Sequence, residues 1–375
     1  MGALDGIRII EIAGLGPAPF AGMMLADHGA QVIRIEQPGK PGWDVDILSR
    51  SRDVLQVNLK APEGRDIVRR LAAKSHGLIE GFRPGVMERL GLAPEVLLGD
   101  NPALVYGRMT GWGQNGPYAH AAGHDINYIA MAGALAHMGR QGEKPTPPIN
   151  LVGDFGGGGM LLAFGMVTAL LSACRTGVGQ VVDCAMVDGT ALLMAMTWSL
   201  KATQEWSDER GSNLLDTGAH FYEVYECADG NYISVAAIEP QFYAALLRVL
   251  EMDAALRETQ MDRSHWPEMK ARFAARFKDR SAEEWCAHPE AAESCLAPVL
   301  TMSEAARHPH NVARSTFTEL AGVIQPSPAP RFSATPAAAP RASDDDRLTL
   351  SSALLREVGL EHDAIHRLQL GGVIG

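Results

Sequence analysis

The sequence is short of positive charge. Its 33 Lys and Arg residues face 44 Asp and Glu, and the resulting formal charge of −11 excludes wholesale nucleic-acid binding and general steering of anions. Any phosphate-bearing ligand must therefore be met by a local basic cluster. Cysteine is scarce and unpatterned: Cys174, Cys184, Cys227, Cys286 and Cys295 are odd in number and lack CxxC spacing. That usage fits a reducing compartment and argues against a zinc site, so no metal is expected. Long apolar runs are also missing. The stretches 160–174 and 190–200 fall short of the ~20 residues a bilayer requires, so they read as buried core helices rather than membrane spans. The first residues lead almost directly into a strand-like segment, leaving no room for a signal or transit peptide, and the expected location is cytoplasmic. No internal repeat is visible.

What is present is a chain of 375 residues, 46% apolar, enough for two domains or for one large domain with a smaller satellite. Ile7–Ile12 reads as a buried strand, Ala18–His28 as a helix closed by Gly29, and Gln31–Glu36 as a second strand, which together make a βαβ unit. The link Gly14–Phe20 begins like a dinucleotide fingerprint, but Phe20 occupies the third glycine position, and Pro17 and Pro19 remove N–H groups a pyrophosphate would use. Strand and helix signals then alternate: 53–58, the helix 62–74, 77–80, short helices through 84–99, and 104–108. This predicts an α/β fold with a Rossmann-like, doubly wound large domain. The glycine-rich loop Thr110–Pro117 leaves a strand end, where open α/β sheets bind ligands. Helices are expected over 125–138, 155–173 and 187–203, with the strand Gln180–Cys184 between the last two. A β-hairpin over 221–238, followed by helices at 241–252, 266–278 and 281–287, marks a smaller α+β domain. The division is then 1–203 plus 323–375 for the large domain, 204–220 for a linker, 221–310 for the small domain and 311–342 for a Pro- and Ala-rich return.

Two stretches place a proton-transfer side chain beside a helix start. His124 opens the run beginning at Asp125, and Asp154 precedes glycines and then Met160-Leu161-Leu162. The unpaired N–H groups of a helix start suit a developing oxyanion, so an acid and a base facing one such hole would perform enolate chemistry. His124 is the natural general base near neutral pH, and the Asp125 N–H would donate to a carbonyl oxygen. Asp154 would act either as a protonated acid or, when ionised, as a nucleophile on a thioester. Spacing alone fits a core histidine and a capping aspartate at least as well. Arg34, Arg50, Arg52, Lys60 and Arg83 fall at or just beyond strand ends, where they would converge on one rim or remain scattered solvated charges. The many methionines, Met131, Met138, Met160, Met166, Met186, Met194 and Met196 among them, read mostly as core filler, with a few available to line an acyl pocket.

Several motifs taken together resemble the alpha-methylacyl-CoA racemases of the class III CoA-transferase superfamily. They are Glu80–Val86, Gly111–Gln114, Gly123–Tyr128, Asn150–Gly158 and Ala237–Tyr243, and the likeness runs from about residue 4 to 335. The resemblance implies a large Rossmann-like domain, a small domain and an interlocked homodimer whose active sites lie between the large domain of one chain and the small domain of the other. It implies no metal or redox cofactor, coenzyme A entering only as part of the thioester substrate. The reaction implied is interconversion of 2R and 2S 2-methylacyl-CoA by 1,1-proton transfer through an enolate. By the same resemblance His124 and Asp154 are the acid/base pair, Glu239 of the other chain orients the histidine, and Asn150 hydrogen-bonds the aspartate. Coenzyme A contacts are implied at Gln37, at Val57, Asn58, Leu59 and Lys60, at Arg83, and at Gly123, Ile126, Asn127 and Tyr128.

The chain departs from that pattern at named places. Relatives carry Arg where Gln37 stands, which moves a phosphate contact to Arg34 or Lys40. His220 replaces a usual Pro near the site, residues 286–298 drift, and the tail beyond 340 resembles the transferases more; each is expected to bear on acyl specificity. The alternative reading is a class III CoA-transferase in which Asp154 is the nucleophile that moves coenzyme A between carboxylic acids. His124 and Glu239 favour the racemase, because a transferase needs no base there.

Overall fold

Six short runs of aliphatic residues pair side by side because each is apolar on both faces, the pattern of strands covered by helices above and below. In a computed structural model that describes residues 2–39, 45–342 and 347–375, they are β1 (Arg8–Ile12), β2 (Gln31–Glu36), β3 (Asp53–Gln56), β4 (Gly77–Glu80), β5 (Val105–Thr110) and β6 (Gln180–Ala185). Their order is β3-β2-β1-β4-β5-β6, every pair parallel, with Ile10 opposite both Ile33 and Leu78, and Tyr106 opposite Leu78 and Val181. The order reverses between β1 and β4, and a ligand crevice is expected beyond the carboxyl ends of those strands. The expected α/β large domain is therefore present.

Helices cover both faces. On one, α2 (Pro62–Ala73) and α4 (Pro94–Asp100) contribute Ile67, Val68, Leu71 and Leu97 to a core with Ile33, Leu55, Leu78 and Tyr106. On the other, α1 (Pro17–Asp27) and α6 (Leu161–Thr176) bury Ala18, Leu25, Leu162, Met166 and Leu170 against Ile9, Val32, Ile79 and Val105. The tail folds as two helices, Arg347–Glu357 and His362–Leu370, and returns to the sheet where the Asn58 N–H donates to the Val373 carbonyl at 2.8 Å.

Several sequence expectations change. The helix expected over 125–138 stops at Met131, because Gly133 adopts a left-handed φ of 85°. The helix expected from 155 starts at 151 and is π-helical to Met160 before continuing as α6. The apolar stretch 160–174 is thus part of an unbroken 26-residue helical run, long and apolar enough to cross a bilayer, although half of its most apolar window is buried inside the chain. The run 187–203 breaks at Met194 into α7 (Met186–Leu193) and a second helix, Ala195–Ala202. Phe317–Leu320 and Val323–Pro326 pair as an antiparallel hairpin within the expected extended return.

The chain divides into one unit of 1–132, 149–193 and 314–375 and a second of 133–148 and 194–313, so the second unit takes in segments that hydropathy alone had assigned to the large domain. It holds a sheet of Tyr222–Glu226, Tyr232–Ala236 and Leu296–Pro298 on an aromatic core of Phe221, Tyr243, Phe273, Phe277 and Trp285. The stretch 204–220 is not a free linker. Asn213 and Asp216 are buried there and bonded to each other, and both Asp216 oxygens take backbone N–H groups, at Gly211, Asn213 and Gly218. His220 also lies in this core, its Nε2 bonded to the Tyr243 hydroxyl at 2.7 Å, and burial pushes its imidazole down to about 3. A fully buried neutral histidine is packing rather than a lining of the cleft, which corrects its expected place near the site.

Candidate active site

One cleft of about 1230 Å³ opens where the strand order reverses. Its walls come from the loop after β1 (Ala13–Pro19), from the loop after β4 (Gly81–Pro84), from Thr110-Gly111-Trp112 after β5, and from Gly123, His124, Tyr128, Asn150, Asp154, Phe155 and Met186.

His124 is the cap of α5 (Asp125–Met131), its extended backbone held by the Asn127 side-chain oxygen, which accepts the His124 N–H at 3.1 Å. Its imidazole is exposed. The Asp125 N–H, first in the helix, has no hydrogen-bond partner among the described residues. Tyr128 fixes the loop before the helix: its hydroxyl donates to the Gly123 carbonyl, and its ring stands edge-on to Trp112 at 4.8 Å. Glycine is required at 111, since a β-carbon there would lie 2.1 Å from the Tyr128 ring.

Asp154 arrives from the π-helical segment, and this corrects its expected position. It does not cap a helix; Asn150 is the cap, and Asp154 sits inside the first wide turn. The glycines that follow permit that turn because other backbone passes against it: a β-carbon at Gly157 would stand 2.7 Å from the Thr190 nitrogen, and one at Gly159 2.8 Å from the Pro17 oxygen. Asn150 Nδ2 donates to Asp154 Oδ2 at 3.1 Å. The Asp154 N–H donates to Asp125 Oδ2 at 2.7 Å, so the carboxylate beside His124 ties down the residue on the other wall. Asp125 is buried, and its second oxygen has no partner among the described residues. Burial raises the Asp154 carboxyl above the ordinary aspartate range, and the Asp125 charge pushes the same way, against the Asn150 bond and the His124 imidazole. An acid with an elevated pKa thus shares a cleft with a histidine and a free N–H.

The basic residues do not converge as a group. Arg34 bonds Glu11 and Glu36, Arg52 bonds Glu11, and Arg50 bonds Asp27, all inside the fold. Buried guanidinium groups need such partners, and these strand-end arginines found them in neighbouring strands and α1. Only Arg34 among the three reaches the cleft wall, already paired. Lys60 and Arg83 line the cleft with no carboxylate partner among the described residues. Gln37, Val57, Leu59, Gly123 and Tyr128 also line it. Asn58, Ile126 and Asn127 do not: Asn58 accepts the Lys60 N–H, Asn127 holds His124, and Ile126 is exposed. Lys40 lies outside the described residues. Glu239 caps the helix Pro240–Val249 in the second unit, exposed. Sequence reasoning missed the walls supplied by Ala13–Pro19, Phe155 and Met186. Phe20, at the failed glycine position, was a signal: it packs on Phe155 at 5.0 Å.

A doubly wound sheet with an acid, a histidine and two unpaired cations at its switch point defines a ligand-binding α/β enzyme, and comparison places it further. The model of CoA-transferase family III matches residues 4–344, and the chain belongs to that family. It is 44% identical over 372 residues to the Mus musculus protein named alpha-methylacyl-CoA racemase, covering 99% of this chain and 97% of that one. The Homo sapiens protein of the same name is 43% identical over 373 residues, with the same coverage. Among solved structures, a CAIB/BAIF family protein from Brucella suis superposes with a TM-score of 0.81 at 25% identity, covering 95% of this chain and 99% of that one.

Asp125→Asn should retain an oxygen for the Asp154 N–H while removing the neighbouring charge. The Asp154 carboxyl should then titrate at lower pH, followed by ¹³C NMR of labelled aspartate; an unmoved or higher titration would contradict the electrostatic role assigned to Asp125.

Proposed function

We propose that the protein is an alpha-methylacyl-CoA racemase, interconverting the 2R and 2S epimers of 2-methylacyl-CoA thioesters. The observation that carries this reading is the presence of His124 and Asp154 on the walls of one cleft, in a chain whose full-length relatives bear that name. An α-proton beside a thioester is only weakly acidic, so the site must both supply a base and stabilise the enolate oxygen. His124 takes the α-proton from one epimer, the carbonyl oxygen gathers the negative charge against the Asp125 N–H, and protonated Asp154 returns a proton to the opposite face. In the reverse direction Asp154 is the base and His124 the acid. The elevated Asp154 pKa suits it to hold a proton between turnovers. Lys60 and Arg83 meet phosphate groups of coenzyme A, with Gln37, Val57, Leu59, Gly123 and Tyr128 along the nucleotide and pantetheine.

The active form is a homodimer in which Glu239 of the second chain orients His124. An exposed apolar stripe supports a second chain: Met160, Phe164, Val167 and Leu171 lie on one face of the long helix and are 41% to 69% exposed.

The family name also favours a second chemistry, in which Asp154 attacks the thioester carbonyl, expels the coenzyme A thiolate and forms an acyl-aspartyl anhydride. Incubating the protein with a single-epimer 2-methylacyl-CoA in D₂O, without an acceptor acid, separates the two. Deuterium uptake at the α-carbon with loss of epimeric purity is expected. Absence of exchange, with coenzyme A transfer once a free carboxylate is added, would establish the transferase instead. For the assembly, sedimentation should give a dimer that Phe164→Asp converts to monomer with loss of turnover; a fully active wild-type monomer would contradict it.

A further inference from the structure

The cleft loop that carries Arg83 is closed from behind by a buried ion cluster that the proton-transfer scheme does not use. Glu80 is the last residue of β4, and its carboxylate is fully buried. One oxygen, Oε2, accepts the Phe82 N–H at 2.7 Å, and the other, Oε1, accepts Arg108 Nε at 3.0 Å. The same guanidinium reaches past the loop to Glu88, its Nη1 lying 2.9 Å from Glu88 Oε1. Glu88 belongs to α3 (Val86–Arg89), which begins just after the loop, and the loop closes on itself where the Val86 N–H donates to the Arg83 carbonyl at 3.2 Å. Gly81, Phe82, Arg83, Pro84 and Val86 all face the cleft. Arg108 therefore grips the residue before the loop and the helix after it.

We infer that Glu80, Arg108 and Glu88 form a clasp that holds the 81–87 loop in the conformation presenting Arg83 to a phosphate of the bound thioester. Glu80 and Arg108 are positioning residues for substrate affinity, and the inference rests on the reading of Arg83 as a phosphate contact given above. An exposed arginine on an unrestrained loop would lose backbone as well as side-chain freedom on binding. The clasp removes the backbone part of that cost beforehand. Arg108 also lies in β5, whose continuation Thr110-Gly111-Trp112 lines the same cleft, so one guanidinium ties together the two strand ends that frame it. Burial lifts the Glu80 carboxyl to about 7 against the pull of the Phe82 N–H and Arg108, as expected for a group kept ionised by the donors around it. Both its oxygens face donors, so an amide in its place must turn its NH₂ toward one of them and break that bond.

The test is steady-state kinetics of the full-length protein on 2-methylacyl-CoA and on the same acyl group carried by pantetheine, which lacks the nucleotide phosphates. Glu80→Gln should raise KM for the coenzyme A thioester about tenfold, the loss typical of a charge-assisted hydrogen bond. Its kcat should stay within about twofold, with kcat/KM for the pantetheine thioester unchanged, and Glu80→Gln with Arg83→Ala should be no worse than Arg83→Ala alone. Equal losses on both thioesters, or additive losses in the double variant, would overturn the clasp. If Arg83→Ala itself fails to discriminate between the thioesters, the phosphate reading of Arg83 falls and the clasp with it. If Arg83→Ala discriminates and folded Glu80→Gln does not, the clasp alone falls. Should Glu80→Gln not fold, Glu88→Gln at the exposed end carries the same test: a smaller rise in KM confined to the coenzyme A thioester supports the clasp, and an unchanged KM overturns it.

Discussion

The hydrogen bond from the Asp154 N–H to the buried Asp125 carboxylate is the constraint on which the site depends. It joins two segments that approach the cleft from different directions, the start of α5 and the π-helical turn after Asn150. A charged acceptor in a poorly solvated setting makes a strong bond, and it fixes the Asp154 backbone relative to the helix that presents His124. The same charge also helps hold the Asp154 carboxyl protonated. One side chain thus sets both the position and the acidity of its neighbour. The turn that makes this possible is wide because glycine backbone passes close to glycine backbone: a β-carbon at Gly189 would fall 1.9 Å from the Gly157 oxygen.

Around that bond, a strongly acidic chain distributes its few cations sparingly. Arg34, Arg50 and Arg52 are consumed by buried partnerships among β1, β2, β3 and α1, and Gly22 leaves room for the Glu11 carboxylate that serves two of them. Arg108 is consumed likewise behind the Arg83 loop. What remains at the cleft is Lys60 and Arg83, two cations unpaired among the described residues and separated from the proton-transfer groups along one wall. An anion that binds there is held by local charge against an unfavourable overall field.

Much of the large unit was legible because parallel strands announce themselves as short aliphatic runs between amphipathic helices; β2 and β4 fall on the expected residues. The paired motifs at 123–128 and 150–158 were legible as a site only through their combined resemblance to a family, since each alone is equally a cap or a core residue. The π-helix was not legible. Glycines carry no hydrophobic periodicity, and the cause of the wide turn is a close approach between distant segments. Local pattern likewise gave no access to the partners of Arg34, Arg50 and Arg52, because a strand-end arginine looks the same whether it faces solvent or a buried carboxylate. His220 and the 204–220 stretch misled for a related reason: a polar segment whose donors are matched internally can be core, and composition does not report the matching.

The central claim is that His124 and Asp154 serve opposite faces of one enolate. It is tested most directly by α-hydrogen exchange measured separately from each pure epimer in D₂O, with His124→Ala and Asp154→Ala beside the unaltered protein. The account predicts that each variant loses exchange from one epimer while retaining it from the other, and that the two variants spare opposite epimers. Equal residual exchange from both epimers in either variant would contradict it.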